Sequence, residues 1–171
     1  MINNKLKKNL DNKKFVFTAE TSPPDSTDKQ DVLKRVSCLK NIADAVNVTD
    51  GAGAKSHLSS LVVSSILSDN GIEPVLQLTT RDRNRIAIQS DLLGGWTLQI
   101  RNILCIYGDL VSSGDQPEAK EVRDLDTLDI IKTADDFRTK QTLPSGRKIK
   151  SSPQYFIGAA DTPFKIDKKF D

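Results

Sequence analysis

The stretch that decides the fold is Asn102-Ile-Leu-Cys-Ile-Tyr107-Gly-Asp109, an apolar run that ends abruptly in a Gly-Asp pair. A short run of apolar and β-branched residues bounded by a turn signal is typical of a buried strand. Three similar runs precede it, at residues 15–20, 45–49 and 73–78. The four runs start 30, 28 and 29 positions apart, about the length of one strand–helix unit. This regular spacing predicts a parallel sheet with right-handed crossovers.

Apolar residues at helical spacing fill the segments between these runs. They predict one helix through Val32, Val36 and Ile42, a second through Leu58 and Ile66, and a third over residues 82–93, ended by Gly94-Gly95. After Asp109 the spacing breaks into a polar loop at 110–123. A helix at about 126–137 and a fifth strand at 154–160 follow, and residues 161–171 carry no clear element.

Two architectures fit four or five such units, a doubly wound sheet and a (β/α)8 barrel of the TIM type. Both bind ligands at the carboxyl ends of their strands. We therefore expect the functional residues directly after the predicted strands.

The composition bounds the class of protein. The 171 residues are 37% hydrophobic and 28% charged, which is typical of a globular domain. The net charge of +2 does not favour a nucleic-acid partner, and residues 1–14, with five lysines, are predicted to form a solvated basic tail. Two distant cysteines, one histidine and no long apolar run predict a cytoplasmic protein with no membrane partner and no metal site.

Two carboxylates stand at predicted strand ends. Glu20 closes the first strand before Thr21-Ser22-Pro23-Pro24, and Asp109 closes the fourth. Carboxylates from different strands that face one space suit proton transfer beside a developing cation. Each also has a plain structural interpretation, since an acidic side chain often caps the turn that follows it.

The loop at residues 50–56, Asp-Gly-Ala-Gly-Ala-Lys-Ser, has the look of a phosphate loop but lacks both required glycines. Its backbone amides remain candidates for binding an anion. Arg81, Arg83 and Arg85 follow the third strand and indicate either a solvated helix start or an anion contact, with Arg81 the best placed for a ligand.

With these residues in order, the chain resembles the methylenetetrahydrofolate reductase family. The resemblance rests on four motifs: Phe17-Thr-Ala-Glu-Thr-Ser-Pro-Pro24, Asn47-Val-Thr-Asp50, Leu76-Gln-Leu-Thr79 and Arg101-Asn-Ile-Leu-Cys-Ile-Tyr-Gly-Asp109. Each motif is weak alone, but the four stand in order on consecutive strand ends.

The resemblance implies a (β/α)8 barrel that reduces 5,10-methylenetetrahydrofolate to 5-methyltetrahydrofolate, with FAD as cofactor and NAD(P)H as reductant. It implies that Glu20 is the general acid and that Asp109 stabilises the folate cation. Thr49 is implied to contact flavin or folate. The remaining cofactor contacts implied by the resemblance are Asp50, Gln77, Tyr107, Gly108, Asp109, Arg123 and Asp124. A folate substrate is the expected partner, and a homo-oligomer of the full-length protein is left open.

The chain departs from the family pattern at two positions that touch the flavin. Gln77 stands where many members have His, and Tyr107 where many have Arg. A flavin-independent folate reductase therefore remains an alternative, as does a non-catalytic half-barrel that binds an anion through residues 50–56. Because a (β/α)8 barrel takes about 250 residues and only five units are predicted, we also expect the chain to be the N-terminal part of a longer protein.

Overall fold

The fold is built on five parallel strands in the computed structural model, which describes residues 4–160. The strands are β1 (Thr18–Thr21), β2 (Ala45–Val48), β3 (Pro74–Thr79), β4 (Asn102–Ile106) and β5 (Phe156–Ala159). They lie in the order β1-β2-β3-β4-β5, with Glu20 paired to Asn47 and Gln77 paired to Leu104. All five predicted strands are confirmed.

Five α-helices accompany the strands. They are α1 (Lys5–Asp11), α2 (Lys29–Val36), α3 (Ser60–Asp69), α4 (Arg85–Thr97) and α5 (Thr127–Thr139). Short 3-10 turns lie at Ser37–Leu39, Ala52–Ala54 and Val111–Ser113. In the described residues no helix combines the length and apolar character needed to cross a membrane.

The strand order and the position of the helices decide between the two expected architectures. Val46 and Val48 of β2 pack with α2 and α3, and Leu76 and Leu78 of β3 pack with α4 and α5. These residues share one face of the sheet because side chains alternate along a strand. A doubly wound sheet reverses its strand order and carries helices on both faces. The fold is therefore a partial (β/α) barrel of the TIM type.

The opposite face of the sheet corresponds to the inside of a barrel. Ala45, Val75, Leu104 and Phe156 meet there, and Leu6 of α1 packs against them near the start of the strands. Glu20 and Gln77 lie on the same face, towards the carboxyl ends of their strands.

Helix α1 lies inside the segment predicted to be a solvated tail. Its first amides need acceptors, because the N-terminal turn of any helix leaves its N–H groups unpaired. Glu73 supplies both oxygens, accepting from the backbone N of Lys5 at 2.7 Å and of Leu6 at 2.9 Å. The lysines of residues 5–11 therefore belong to a docked helix rather than to a loose tail.

The predicted end of the third barrel helix at Gly94-Gly95 is wrong, since α4 continues to Thr97. Gly95 is a packing residue. The Tyr155 hydroxyl donates to the Leu92 carbonyl at 2.6 Å, and a Cβ built on Gly95 would lie 2.7 Å from that hydroxyl. Tyr155 is far away in sequence, so the local pattern gave no sign of this contact.

We expect Gly95→Ala to lower the free energy of unfolding by about 1–3 kcal/mol, because the added methyl displaces the buried Tyr155 hydroxyl. Gly94→Ala is the matched control. A Cβ at Gly94 meets nothing within 4 Å, so this variant gains about 0.5–1 kcal/mol from higher helix propensity. Urea unfolding of both variants measures the difference, and equal effects of the two substitutions would contradict the packing role of Gly95.

Candidate functional site

Glu20 and Gln77 meet on the face of the sheet that carries no barrel helices. Gln77 is buried in the middle of β3, and its Nε2 donates to Glu20 Oε2 at 3.2 Å. Glu20 lies on the edge strand β1 and is exposed. The structure thus brings together two residues from separate motifs, a carboxylate open to solvent and a neutral amide that donates to one of its oxygens.

Thr49 lies one residue beyond β2 and next to this pair in register. Val48 pairs with Leu76, so Thr49 and Gln77 are the following residues of neighbouring strands. Thr49 is 6% exposed, and its Oγ1 has no hydrogen-bond partner. A buried hydroxyl without a partner costs free energy, because it has lost its bonds to water. This hydroxyl is therefore a polar group available to a ligand.

Asp109 is placed by a glycine turn at the end of β4. Gly108 has a φ of +84°, and a Cβ there would lie 3.1 Å from the side chain of Thr79. Only glycine adopts this conformation and fits this space without strain. The turn points Asp109 to the loop after β2, where its Oδ2 accepts from the backbone N of Gly53 at 2.8 Å. Asp109 and Glu20 thus belong to one edge of the sheet but have different hydrogen-bond partners.

The guanidinium of Arg123 covers Tyr107 at the same turn. It lies 3.8 Å from the centre of the Tyr107 ring, and its Nη1 donates to the Tyr107 carbonyl at 2.8 Å. Glu121 accepts from both Nε and Nη2 of Arg123. These bonds lower the pKa of Glu121 to about 2.

Asp124 is also engaged within the chain. Its carboxylate accepts from Nε and Nη2 of Arg85 at 2.8 and 2.7 Å and from the Arg85 backbone N at 2.9 Å. Arg85 lowers the pKa of Asp124 to about 2. Arg123 and Asp124, two of the cofactor contacts that the resemblance implies, therefore hold partners within the chain.

Asp50, which the resemblance places at the cofactor, holds two strand ends together. Its carboxylate accepts from Ser60 Oγ, from the backbone N and the Oγ1 of Thr79, and from Nη1 and Nη2 of Arg83. A carboxylate offers about four lone-pair positions, and these five donors use them. Arg83 also donates from Nε to Asp91 at 2.9 Å, and burial raises the pKa of Asp91.

Arg81, expected to be the best placed arginine for a ligand, is buried and paired. Its side chain is 4% exposed, and its guanidinium forms two bonds to Asp82. Nη1 donates to the Gly51 carbonyl at 3.1 Å. Gly51 has a φ of +59°, and an added Cβ would overlap this guanidinium. Arg81 and Arg83 thus fix the loop after β2. They are not the solvated charges of a helix start that the sequence favoured.

Sequence reasoning missed Glu121, Gly53 and the contact between Arg83 and Asp50. The only sequence signal for the last was an Asp at one strand end and an Arg just after the next strand. Their pairing depends on the parallel register that sets the two strand ends side by side.

The comparison with known families agrees with these motifs. A family model described as methylenetetrahydrofolate reductase matches residues 5–143, which is most of the chain. No curated protein matches the chain. The match begins at α1 and includes the polar loop after β4.

We expect Asp50→Ala to lower the free energy of unfolding by roughly 3–5 kcal/mol, because it leaves the partly buried Arg83 cation without its main partner and the buried Thr79 and Ser60 donors without their acceptor. Asp135→Ala is the matched control, since Asp135 pairs with Arg138 on the surface of α5 and such pairs contribute about 0–1 kcal/mol. Urea unfolding at neutral pH separates the two. A small loss in Asp50→Ala would show that the carboxylate is not the support for these strand ends.

Proposed function

Because the chain belongs to the methylenetetrahydrofolate reductase family, we propose that its strand ends reduce 5,10-methylenetetrahydrofolate to 5-methyltetrahydrofolate. NAD(P)H is the proposed source of hydride and FAD the proposed cofactor. The observation that carries the proposal is the buried, unpartnered Thr49 hydroxyl beside the Gln77–Glu20 pair. It supports a polar ligand at the carboxyl ends of β2 and β3, where the barrel architecture places ligands.

The residues at the carboxyl ends of the strands differ in how well they fit a flavin. Thr49 and Gln77 present a free hydroxyl and an amide, which match the alternating donors and acceptors of a flavin or pterin ring. Asp50, Arg123 and Asp124 have their charged groups engaged within the chain. We therefore assign recognition of the ring to Thr49 and Gln77. Arg123 or Asp124 could contact the phosphates of the cofactor only after its ion pair within the chain had opened. A bound flavin supplies hydride transfer between NAD(P)H and the folate.

Glu20 is the proposed general acid. Gln77 occupies its Oε2, so Oε1 is the atom that holds the proton to be transferred. Donation of that proton to a nitrogen of the folate's methylene bridge breaks one C–N bond and leaves an iminium cation. The carbon of this cation accepts the hydride, and the amine that was released keeps the proton.

Asp109 is the proposed electrostatic partner of that cation. A carboxylate already held in place lowers the energy of a developing positive charge without reorganising as the charge forms. Asp109 is exposed, and one of its oxygens is fixed by the Gly53 amide. This carboxylate follows the carboxyl end of β4, where the barrel architecture places ligands.

We expect Thr49→Val to weaken FAD binding roughly tenfold, since one ligand hydrogen bond is lost, while the free chain keeps or gains stability. Ser64→Ala is the matched control, because Ser64 carries the other buried hydroxyl without a partner in the described residues and lies on α3. It removes the same kind of group away from the strand ends, so it changes stability alone. Flavin fluorescence titration and urea unfolding give the two readouts. Unchanged FAD affinity in Thr49→Val would remove Thr49 from the site.

We expect Glu20→Gln to lower folate-dependent NAD(P)H oxidation by about 10²–10⁴-fold, the usual contribution of general acid catalysis, with FAD binding retained. Steady-state turnover and the flavin absorption spectrum of both proteins test this. A colourless but active protein favours the flavin-independent reductase. If the parent protein shows no turnover and Glu20→Gln binds the ligand as tightly as the parent does, a binding module is favoured. If the parent protein shows neither bound flavin nor folate-dependent oxidation of NAD(P)H, the proposal is contradicted.

A further inference from the structure

Arg123, in the loop after β4, contacts the turn that carries Asp109 at several points. Its Nη1 donates to the Tyr107 carbonyl at 2.8 Å, and its Nη2 lies 3.4 Å from the Gly108 carbonyl and 3.3 Å from that of Asp109. The same guanidinium stacks on the Tyr107 ring. One side chain therefore holds three consecutive carbonyls of the turn that carries Asp109.

Glu121 anchors this guanidinium from the other side. Its Oε1 accepts from Arg123 Nη2 at 3.1 Å and from the backbone N of Val111 at 2.9 Å. Val111 is two residues beyond Asp109, so Glu121 and Arg123 grip the chain on both sides of that carboxylate. We call these two residues the clamp.

The backbone of Arg123 supports a specific role for the clamp. Its φ of +38° lies in the left-handed region, which a residue with a side chain rarely adopts. Such a conformation persists only where surrounding contacts determine it. The hydrogen bonds of the Arg123 side chain lead to the Asp109 turn and to Glu121.

The clamp also leaves little of Arg123 for another partner. The side chain is 13% exposed, and its nitrogen atoms are directed to Glu121 and to the three carbonyls. Binding a phosphate through Arg123 requires breaking these bonds. Holding the turn requires no rearrangement.

We propose that Arg123, anchored by Glu121, is a positioning residue that fixes the carboxylate of Asp109 at the carboxyl end of β4. The inference rests on the proposed function, because the purpose of fixing Asp109 is the charge it presents to the substrate. The structural effect of the clamp can be tested apart from that function. Without the clamp, we expect the turn at Gly108 to loosen and Asp109 to lose its hydrogen bond with the Gly53 amide.

The Gly53 amide gives a direct test, because it donates to Asp109 Oδ2 at 2.8 Å. We compare ¹H–¹⁵N spectra and amide exchange in the full chain for Arg123→Met, Arg123→Lys and Asp109→Asn. Arg85→Met is the matched control, since Arg85 forms a bidentate pair with Asp124 outside the turn. We expect Arg123→Met to move the Gly53 signal toward its position in Asp109→Asn and to raise its exchange rate roughly tenfold, as for the loss of one charged hydrogen bond. In Arg123→Lys we expect the Gly53 signal to lie between its positions in the parent chain and in Arg123→Met. In Arg85→Met we expect it to stay at its position in the parent chain.

An unchanged Gly53 signal in a folded Arg123→Met chain overturns the proposal. The proposal is also overturned if Arg123→Met loses pyrophosphate binding while the Gly53 signal stays in place, because that result assigns Arg123 to a phosphate. If Arg123→Met does not fold, Glu121→Gln releases the anchor and is read by the same signal with the same two outcomes. The measurement needs neither flavin nor turnover. A shifted Gly53 signal in a protein without reductase activity therefore supports the clamp while contradicting the proposed function.

Discussion

The carboxylate of Asp50 is the interaction on which the candidate site depends. It joins the end of β2 to the backbone at the end of β3 through Thr79, and it reaches the first residue of α3 through Ser60. Arg83 extends the connection to Asp91 on α4. The ends of β2 and β3, the start of α3 and the middle of α4 are thus connected through this carboxylate, and its loss would leave the Arg83 cation with Asp91 alone. Thr49 directly precedes Asp50 in the chain, and Gln77 lies two residues before Thr79, which donates to Asp50.

The other charges at this edge follow the same logic. Arg81 pairs with Asp82, Arg85 with Asp124 and Arg123 with Glu121. The Arg85–Asp124 pair joins the loop after β4 to the start of α4, and Arg123 joins the same loop to the turn that carries Asp109. A charged group engaged in this way recognises a ligand only by giving up its partner, whereas a neutral group without a partner gains from binding. The Thr49 hydroxyl is such a group, and beside it lies the uncharged amide of Gln77, whose Nε2 donates to Glu20.

The repeat in the sequence predicted the sheet well because each strand and helix is specified by its own residues. Five strands and the helices between them depend on local apolar spacing, and their positions agree with the structure to within a few residues, except that the helix predicted to run through Ile42 ends at Val36. The first strand begins later than predicted because Phe17 donates its backbone N–H to the Asp44 side chain and not to a ladder. The end of α4 and the docking of α1 were missed because each depends on a distant residue, Tyr155 in one case and Glu73 in the other.

The candidate site shows the same division between local and distant information. The Gly-Asp turn and the strand-end position of Glu20 could be predicted, because a motif of a few residues carries each. That Asp50 supports the strands and that Arg123 grips the Asp109 turn could not, since these contacts join segments 29 to 33 and 14 to 16 positions apart. The spacing of the motifs predicts which strand end a residue follows, but not which other side chain forms an ion pair or hydrogen bond with it.

Gln77 shows how one departure from the family pattern changes the chemistry of its neighbour. A histidine at this position changes its charge near neutral pH and so presents either one or two donors. An amide has no such titration and donates to Glu20 in every protonation state of the pair. In the proposed mechanism, the proton that moves therefore comes from Glu20 and not from Gln77. Because Gln77 donates to Oε2 of Glu20, that mechanism assigns the proton to Oε1.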